Sequence, residues 1–347
     1  MIRFESDYQE GCHPKILQAL AATNMEQGPG YGLDPHCERA RELIRRAIGA
    51  PGADVHLLVG GTQTNAVVIK SLLGHCGAVV CADTGHIAVH ESGAIEACGH
   101  EVITLPNEGG RLDAAALDAW MSTFDADPTK EHMPQPELVY VSHPTEQGTL
   151  YGRAQLEALR ASCDRWGLRL FLDGARLGYG LAARGSDVGL AELVRLCDAF
   201  TIGGTKVGAL FGEAAVFPQG APRHFRTLMK QRGALLAKGR LLGIQFETLF
   251  DDEGDETLYV QLGRHADEQA LRIRAAFEAK GVPMAFASPT DQQFPILSPA
   301  QLEALSRQFA FETWGDAGDG RSVTRFCTSW CTLPENVDAL VRAIEAL

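Results

Sequence analysis

One short segment of the chain combines two glycines with hydroxyl and amide side chains. Residues 60–65 (GGTQTN) stand where an apolar run ends and a helical pattern begins. Free backbone amides at the start of a helix attract anions, and glycine lets a phosphate approach the backbone closely. The segment lacks the GK[ST] of a P-loop and the spacing of a dinucleotide fingerprint. Taken by itself it indicates either a phosphate cradle or a Gly-Thr helix cap that binds nothing.

A carboxylate and an amine follow two later apolar runs. Asp173 ends the run LFLD, and in open α/β sheets ligands bind at the carboxyl ends of the strands. This aspartate could pair with a heterocyclic nitrogen or simply cap the next turn. Lys206 comes 33 residues after Asp173 and follows Gly203-Gly204. Most lysines are solvated surface charges, but this amine, one strand–helix–strand unit later, could reach an aldehyde whose ring nitrogen meets Asp173.

A histidine follows a third apolar run. The His86 imidazole could stack on an aromatic cofactor ring or serve as a structural hydrogen-bonding group. His90 follows at a spacing that can bind metal on a helix, but residue 87 is isoleucine instead of the glutamate of HExxH, so we expect no metal site. A phosphate cradle, a stacking ring, an acid partner and an amine together match the needs of pyridoxal phosphate (PLP) and of no common nucleotide.

These residues can form one site only if the strands before them end at the same edge of one sheet. Apolar runs alternate with helical patterns, which predicts an α/β fold with a mainly parallel sheet covered on both faces. After residue 220 the pattern becomes helical, and a compact α+β tail ends in a helix over 334–346 with Asn336 as a candidate cap. We predict a large domain over 1–250 and a small one over 251–347. The predicted strands are 56–59, 78–81, 102–105, 138–142, 168–172, 199–202 and 214–217.

Composition excludes several classes of protein. The 347 residues include 31 Lys+Arg and 44 Asp+Glu, and the resulting net charge of −13 disfavours nucleic acid and anionic membranes as partners. No apolar run approaches the roughly 18–20 residues of a membrane span, and the N-terminus lacks an apolar signal-peptide core, so we expect a cytoplasmic protein. Nine cysteines scattered singly indicate reduced thiols instead of a disulfide framework.

Together these motifs resemble the threonine aldolase/β-eliminating lyase family of fold-type I PLP enzymes. The likeness extends over essentially the whole chain, and DGARL followed by GGTK is its most specific part. The resemblance implies a fold-type I architecture, with a seven-stranded sheet in a large domain and a small α+β C-terminal domain. The segments that carry it are 31–35, 60–65, 85–86, 90–93, 145–151, 173–177, 203–206 and 324–326.

The resemblance also implies roles for single residues. Lys206 would carry PLP, Asp173 would pair with its ring nitrogen, and His86 would stack on the ring. Arg325 with Ser6 would bind the substrate α-carboxylate, because a guanidinium fork suits a planar carboxylate. Members are usually dimers or tetramers, and Tyr31 with the Lys238/Arg240 segment would reach across the subunit interface. The remaining cofactor contacts would come from Gly61, Thr62 and Gln63 at the phosphate, Arg176 near the phenolic oxygen, and Lys238.

Two segments depart from the family pattern. Many members carry Asn-Thr-His after the strand equivalent to 138–142, whereas this chain has Ser142-His143-Pro144-Thr145. The catalytic base is therefore left open between His86, His143 and a held water. The Gly-Gly-Gly-Met-Arg-Gln run of many members is here 233–238 (GALLAK), in which a lysine takes the place of the arginine.

The predicted reaction is reversible retro-aldol cleavage of L-threonine, L-allo-threonine or a related L-3-hydroxy-α-amino acid to glycine and an aldehyde. One alternative stays within PLP chemistry, namely β-elimination or an aldol cleavage that releases a bulky aldehyde, as from phenylserine. A second alternative is a catalytically silent protein that binds a phosphate ligand or a partner. The complete set of lysine, aspartate, histidine and arginine argues against the second alternative.

Overall fold

The computed structural model describes residues 1–251 and 256–347. Two short 3-10 helices span Glu96–Cys98 and Lys130–His132. The strands are β1 (Ile2–Arg3), β2 (Asp54–Leu58), β3 (Gly77–Ala82), β4 (Glu101–Leu105), β5 (Asn107–Glu108), β6 (Arg111–Leu112), β7 (Gln135–Ser142), β8 (Arg169–Asp173), β9 (Ala199–Gly203), β10 (Glu213–Phe217), β11 (Gln292–Gln293), β12 (Ile296–Leu297), β13 (Phe309–Ala310), β14 (Glu312–Gly318) and β15 (Arg321–Cys327). The α-helices are α1 (Pro14–Ala22), α2 (Pro35–Ala47), α3 (Gly61–Leu72), α4 (His86–Val89), α5 (Ala114–Ala126), α6 (Arg153–Trp166), α7 (Leu177–Ala182), α8 (Leu190–Leu196), α9 (Phe225–Gln231), α10 (Arg240–Phe250), α11 (Leu258–Ala279), α12 (Pro299–Ser306) and α13 (Pro334–Glu345).

The large sheet has seven strands in the order β2-β10-β9-β8-β7-β3-β4. Neighbouring strands are parallel except β10, which runs antiparallel to both β2 and β9. All seven strands expected from apolar runs are present, and the mainly parallel α/β fold is confirmed. These runs are unbroken because helices cover both faces, and every residue of β3, β9 and β10 is buried.

Successive side chains along each strand pack into two separate hydrophobic layers, one on each face of the sheet. Val79 and Phe171 face one layer together with α3, whereas Val80 and Leu170 face the other together with α6. The predicted stripe of α6, Leu156, Leu159 and Cys163, is buried in that second layer. The sheet is thus held rigidly between helices, and the loops at its strand ends have a fixed frame.

The C-terminal part packs around β15. This strand pairs antiparallel with β11, β12 and β14, and α11, α12 and α13 contribute to a third hydrophobic cluster. The N-terminal strand β1 pairs with β13, and Phe4 is buried in the same cluster. The predicted boundary between 250 and 251 adjoins residues 252–255, which lie outside the described part of the chain, so it stays a prediction.

One predicted cap is wrong. The structure starts α13 at Pro334 with Leu333 as the capping residue and no side-chain cap, so Asn336 lies within the first turn. Proline has no backbone N–H that would be left unpaired, and its φ already suits the first helical position. The helix therefore begins at Pro334. All nine cysteines are free thiols, as expected. No helix in the described ranges is both long and apolar enough to cross a bilayer.

Candidate active site

A cavity of about 400 Å³ opens at the carboxyl ends of β7, β8 and β9. It continues into a second cavity of about 330 Å³ that reaches Arg325. The fold therefore brings together most of the residues singled out by sequence. Those lining one or both cavities are Gly61, Thr62, His86, Asp173, Arg176, Lys206 and Arg325.

Lys206 lies in the loop after β9, beside the end of β8. The two loops approach closely: a Cβ at Gly174 would lie 2.1 Å from the Thr201 carbonyl oxygen, and one at Gly203 would lie 2.3 Å from that of Ala175. Glycine is therefore required at both positions.

The amine of Lys206 has no carboxylate within 4.0 Å in the described ranges. Its Nζ lies 5.9 Å from the centre of the Tyr8 ring. Burial and the neighbouring Arg176 charge lower the pKa of Lys206. Since the neutral amine is the nucleophile, this environment suits attack on an aldehyde.

Asp173 is buried, with 5% exposed, and its oxygens accept three hydrogen bonds shorter than 3.0 Å. Tyr140 Oη (2.6 Å) and Asn65 Nδ2 (2.8 Å) donate to Oδ2, and the Ala175 amide (2.8 Å) donates to Oδ1. Burial opposes ionisation, but the His86 charge and these hydrogen bonds outweigh it and lower the pKa of Asp173. The result is a fixed negative charge at the cavity wall, suited to a ligand that carries a proton on a ring nitrogen.

His86 begins α4 and is tied to Asp173 by hydrogen bonds. Its Nδ1 lies 2.9 Å from Glu91 Oε1, which also accepts from Asn65 Nδ2 at 2.8 Å, and the same amide group reaches Asp173. The His86 amide donates to Glu146 Oε1 at 2.9 Å. The imidazole and the carboxylate are therefore held in one network, and neither can shift without disturbing the other.

Two glycines and a hydroxyl form an open cradle where β2 leads into α3. Gly60, Gly61 and Thr62 line the cavity, and no side chain within 1–251 or 256–347 caps α3. A Cβ at Gly60 or Gly61 would meet no heavy atom of the described residues within 4 Å, so none of these residues fills this space. The uncapped amides fit an anion such as a phosphate. The Gln63 side chain bonds to the backbones of Val59 (3.3 Å) and Arg232 (3.0 Å), and its role at the phosphate stays a prediction.

Glu213, the first residue of β10, adds an unexpected carboxyl group to the cavity wall. It is buried, with 3% exposed, and Thr205 Oγ1 donates to its Oε1 at 3.2 Å. Its Oε2 has no partner among the described residues. Burial and the charge of Asp173 raise the pKa of Glu213 to about 8. The group is therefore neutral at neutral pH and can act as a hydrogen-bond donor.

Two arginines complete the site. Arg176 holds Asp7 through two bonds, from Nε (2.8 Å) and Nη2 (2.9 Å). Burial disfavours its charge, but Asp7 and Asp291 outweigh that effect and raise the pKa of Arg176. Arg325 projects from β15 into the second cavity with its guanidinium carbon 4.6 Å from the Trp314 ring centre.

Several expected site residues line neither cavity. His143 is fully buried, and its Nδ1 accepts from the Tyr151 amide at 3.3 Å. Burial lowers the pKa of His143 to about 4, so it is neutral. Lys238 and Tyr31 are exposed, and Ser6 is half-buried beside Asp7. Arg240 is engaged elsewhere, donating to the carbonyls of Thr23, Asn24 and Glu26.

Sequence reasoning missed several residues that line these cavities. Asn65 and Glu146 stood inside recognised motifs but were given no role. One sequence feature could have pointed to Glu213: it is a charged residue directly before the apolar run AAVF. No sequence feature pointed to Tyr8 or Trp314, because their segments reach the site only through tertiary packing. No group of three or more His, Cys, Asp or Glu arranged to hold a metal occurs within 1–251 and 256–347.

Comparison with known proteins identifies the family. The model of the β-eliminating lyase family matches residues 4–286. The chain belongs to this family. Within it, the low-specificity L-threonine aldolase of Pseudomonas aeruginosa is 30% identical over 348 residues, covering 99% of this chain and 96% of the relative.

Solved structures agree with this membership. A Leishmania major threonine aldolase superposes with a TM-score of 0.95 at 43% identity, covering 100% of this chain and 99% of the other. A Thermus thermophilus aspartate aminotransferase superposes with a TM-score of 0.74 at 15% identity over 100% of this chain and 92% of the other. The second likeness concerns the fold alone. This β-eliminating lyase family member thus has the fold-type I architecture expected from its sequence.

Proposed function

We propose that this protein cleaves L-threonine, L-allo-threonine or a related L-3-hydroxy-α-amino acid to glycine and an aldehyde, with PLP as cofactor. The observation that carries the proposal is the placement of Lys206, a buried amine whose pKa is lowered. It lines one cavity with the ionised Asp173 and the adjoining cavity with Arg325. The relatives named threonine aldolases support the choice of substrate.

The residues around the first cavity fit PLP. When bound, PLP supplies an aldehyde that condenses with amines and a protonated ring that draws electrons away from Cα. Lys206 would hold the aldehyde carbon, Asp173 would hold the proton on the ring nitrogen, and the His86 imidazole would border the ring. The open cradle at Gly61 and Thr62 would hold the phosphate. Arg176 stays charged beside Asp7 and would face the phenolic oxygen.

The amino-acid substrate would occupy the second cavity. Arg325 would hold its α-carboxylate, and the N-terminal segment with Ser6 runs beside this arginine, since the Glu5 carbonyl accepts from its Nη2 at 3.3 Å. Cleavage needs a base that takes the proton of the β-hydroxyl. His86 lines both cavities whereas His143 lines neither. This difference supports His86, or a water that it holds, as the base.

We also propose a homodimer or homotetramer in the cytoplasm. Lys238 and Tyr31 are exposed and line neither of these two cavities, which supports a role for both in a neighbouring subunit's site. The acidic composition supports a small-molecule substrate and no nucleic-acid or membrane partner. Size-exclusion chromatography with light scattering tests the oligomeric state, and a monomer that retains full activity would contradict it.

A product assay tests the reaction. The PLP-loaded protein is incubated separately with L-threonine, L-allo-threonine and phenylserine, with Lys206→Ala as the control. We expect glycine with acetaldehyde from one or both threonine isomers, and none from the control. A 2-oxo acid with ammonia would establish β-elimination instead, and benzaldehyde alone would establish the bulky-aldehyde reaction. No product from any of the three would favour the silent binding protein.

A further inference from the structure

Glu312 pairs with the arginine that lines the second cavity. Strands β14 and β15 are antiparallel, and their register sets Glu312 directly opposite Arg325. The Glu312 carboxylate forms an ion pair with Arg325 Nη2, and both side chains line the cavity that contains Lys206. A carboxylate of the protein therefore already contacts the guanidinium that would bind a substrate carboxylate.

The hydrogen bonds of Arg325 show which of its N–H groups already have an acceptor. Nη2 has two N–H groups: one serves the Glu5 carbonyl oxygen at 3.3 Å, and the other serves Glu312. Nη1 donates to Gln292 Oε1 at 3.1 Å. A guanidinium binds a carboxylate with two parallel bonds either through Nη1 and Nη2 or through Nε and Nη2. Both arrangements require an N–H of Nη2, and both of these N–H groups are already in use, so a substrate bound in this way must displace either Glu312 or the Glu5 carbonyl oxygen.

Glu312 is also the partner that can leave. Its side chain is 42% exposed, and no hydrogen bond to a residue other than Arg325 holds its carboxylate in the described part of the chain. Arg325 is only 9% exposed and stays fixed by Gln292, the Glu5 carbonyl and the Trp314 ring. Its Nε is buried and without a partner among the described residues. Exchange therefore means rotation of Glu312 into solvent, with the guanidinium staying in place.

We propose that Glu312 determines the affinity and selectivity of the substrate site by competing, as a tethered anion, with the ligand's carboxylate for Arg325. The proposal rests on the proposed function, because it takes Arg325 as the carboxylate-binding residue. A ligand with a carboxylate must replace the ion pair, whereas an amine without one leaves it intact. The expected gain on removing Glu312 is modest, since partly exposed ion pairs contribute little.

Binding of glycine and of ethylamine to the PLP-loaded protein, measured by calorimetry, tests the proposal. We expect Glu312→Gln to bind glycine about fivefold more tightly than wild type, the fold-change that corresponds to a partly exposed ion pair. It should bind ethylamine with unchanged affinity. Asp316→Asn, which removes an equal charge from an exposed position of the same strand, should change neither affinity.

Glycine affinity that is unchanged or weaker in Glu312→Gln would overturn the proposal, and so would an equal gain for both ligands or the same gain in Asp316→Asn. Arg325→Ala separates this failure from failure of the proposed function. If Arg325→Ala leaves glycine affinity intact, the role of Arg325 itself is wrong. If it weakens glycine binding while Glu312→Gln does not tighten it, only the competition by Glu312 is wrong.

Discussion

The buried carboxyl group of Glu213 should make the free energy of unfolding depend on pH in a specific way. Its pKa in the folded protein is about 8, against an ordinary value of 4.5, because burial and Asp173 disfavour its charge. Between these two pH values the folded state retains a proton that the unfolded chain has released. The folded state thus binds more protons, and the free energy of unfolding falls as pH rises through this window.

The size of the effect follows from the separation of the two pKa values. At about 1.4 kcal/mol per pH unit, the loss accumulates to about 5 kcal/mol by pH 8 and then levels off. Glu213→Gln keeps the shape and the neutral state at every pH, so it removes this loss. We therefore expect the variant to match wild type near pH 4.5 and to become progressively more stable than wild type up to pH 8.

Urea unfolding at several pH values between 5 and 9 measures the difference. Comparing variant with wild type at each pH cancels the contribution of the titrating groups that do not interact with Glu213; Asp173 and Lys206 do interact with it. Glu108→Gln, at an exposed glutamate, serves as the control and should show a constant difference. A flat difference for Glu213→Gln across this range would show that Glu213 ionises normally and would refute the assignment of a neutral carboxyl at the cavity.

Three other variants test the assignment of the site. Gly61→Ala adds a Cβ that meets no atom of the described residues within 4 Å, so thermal melting should be unchanged. Titration should show cofactor affinity falling about tenfold, and unchanged affinity would mean that no phosphate lies there. His86→Asn should lower kcat at least about 100-fold whereas His143→Gln should retain most of it, and the reverse order in steady-state assays would make His143 the base. Asp173→Asn removes the fixed charge and should lower kcat at least about 100-fold, with the fold intact by circular dichroism. Near-normal turnover would show that catalysis does not need the Asp173 charge.

The sequence was most informative where burial is complete. The seven strands of the large sheet could be predicted because both faces are covered, so their residues form continuous apolar runs. Asp173 and Lys206 could be placed in one site because strands parallel to each other end at the same edge. Arg325 was placed there only through the family resemblance, since its strand belongs to another sheet.

The other site residues could not be placed from sequence, because their positions depend on side-chain direction and tertiary packing. His143 lies just after β7, and nothing in the pattern around it indicated that its ring turns into the core. Tyr8 and Trp314 come from segments far apart in the chain, and only folding brings them to the same cavity. The competition at Arg325 depends on the register of β14 against β15, which contains irregular steps that no sequence periodicity predicts.

Borohydride reduction of the PLP-loaded protein, followed by peptide mass spectrometry, tests the central assignment most directly, because it fixes the cofactor covalently to the amine that holds it. We predict that the added mass resides on the peptide containing Lys206 and that Lys206→Ala acquires none. Label on a different lysine, or no label on a protein that still turns over its substrate, would contradict the account.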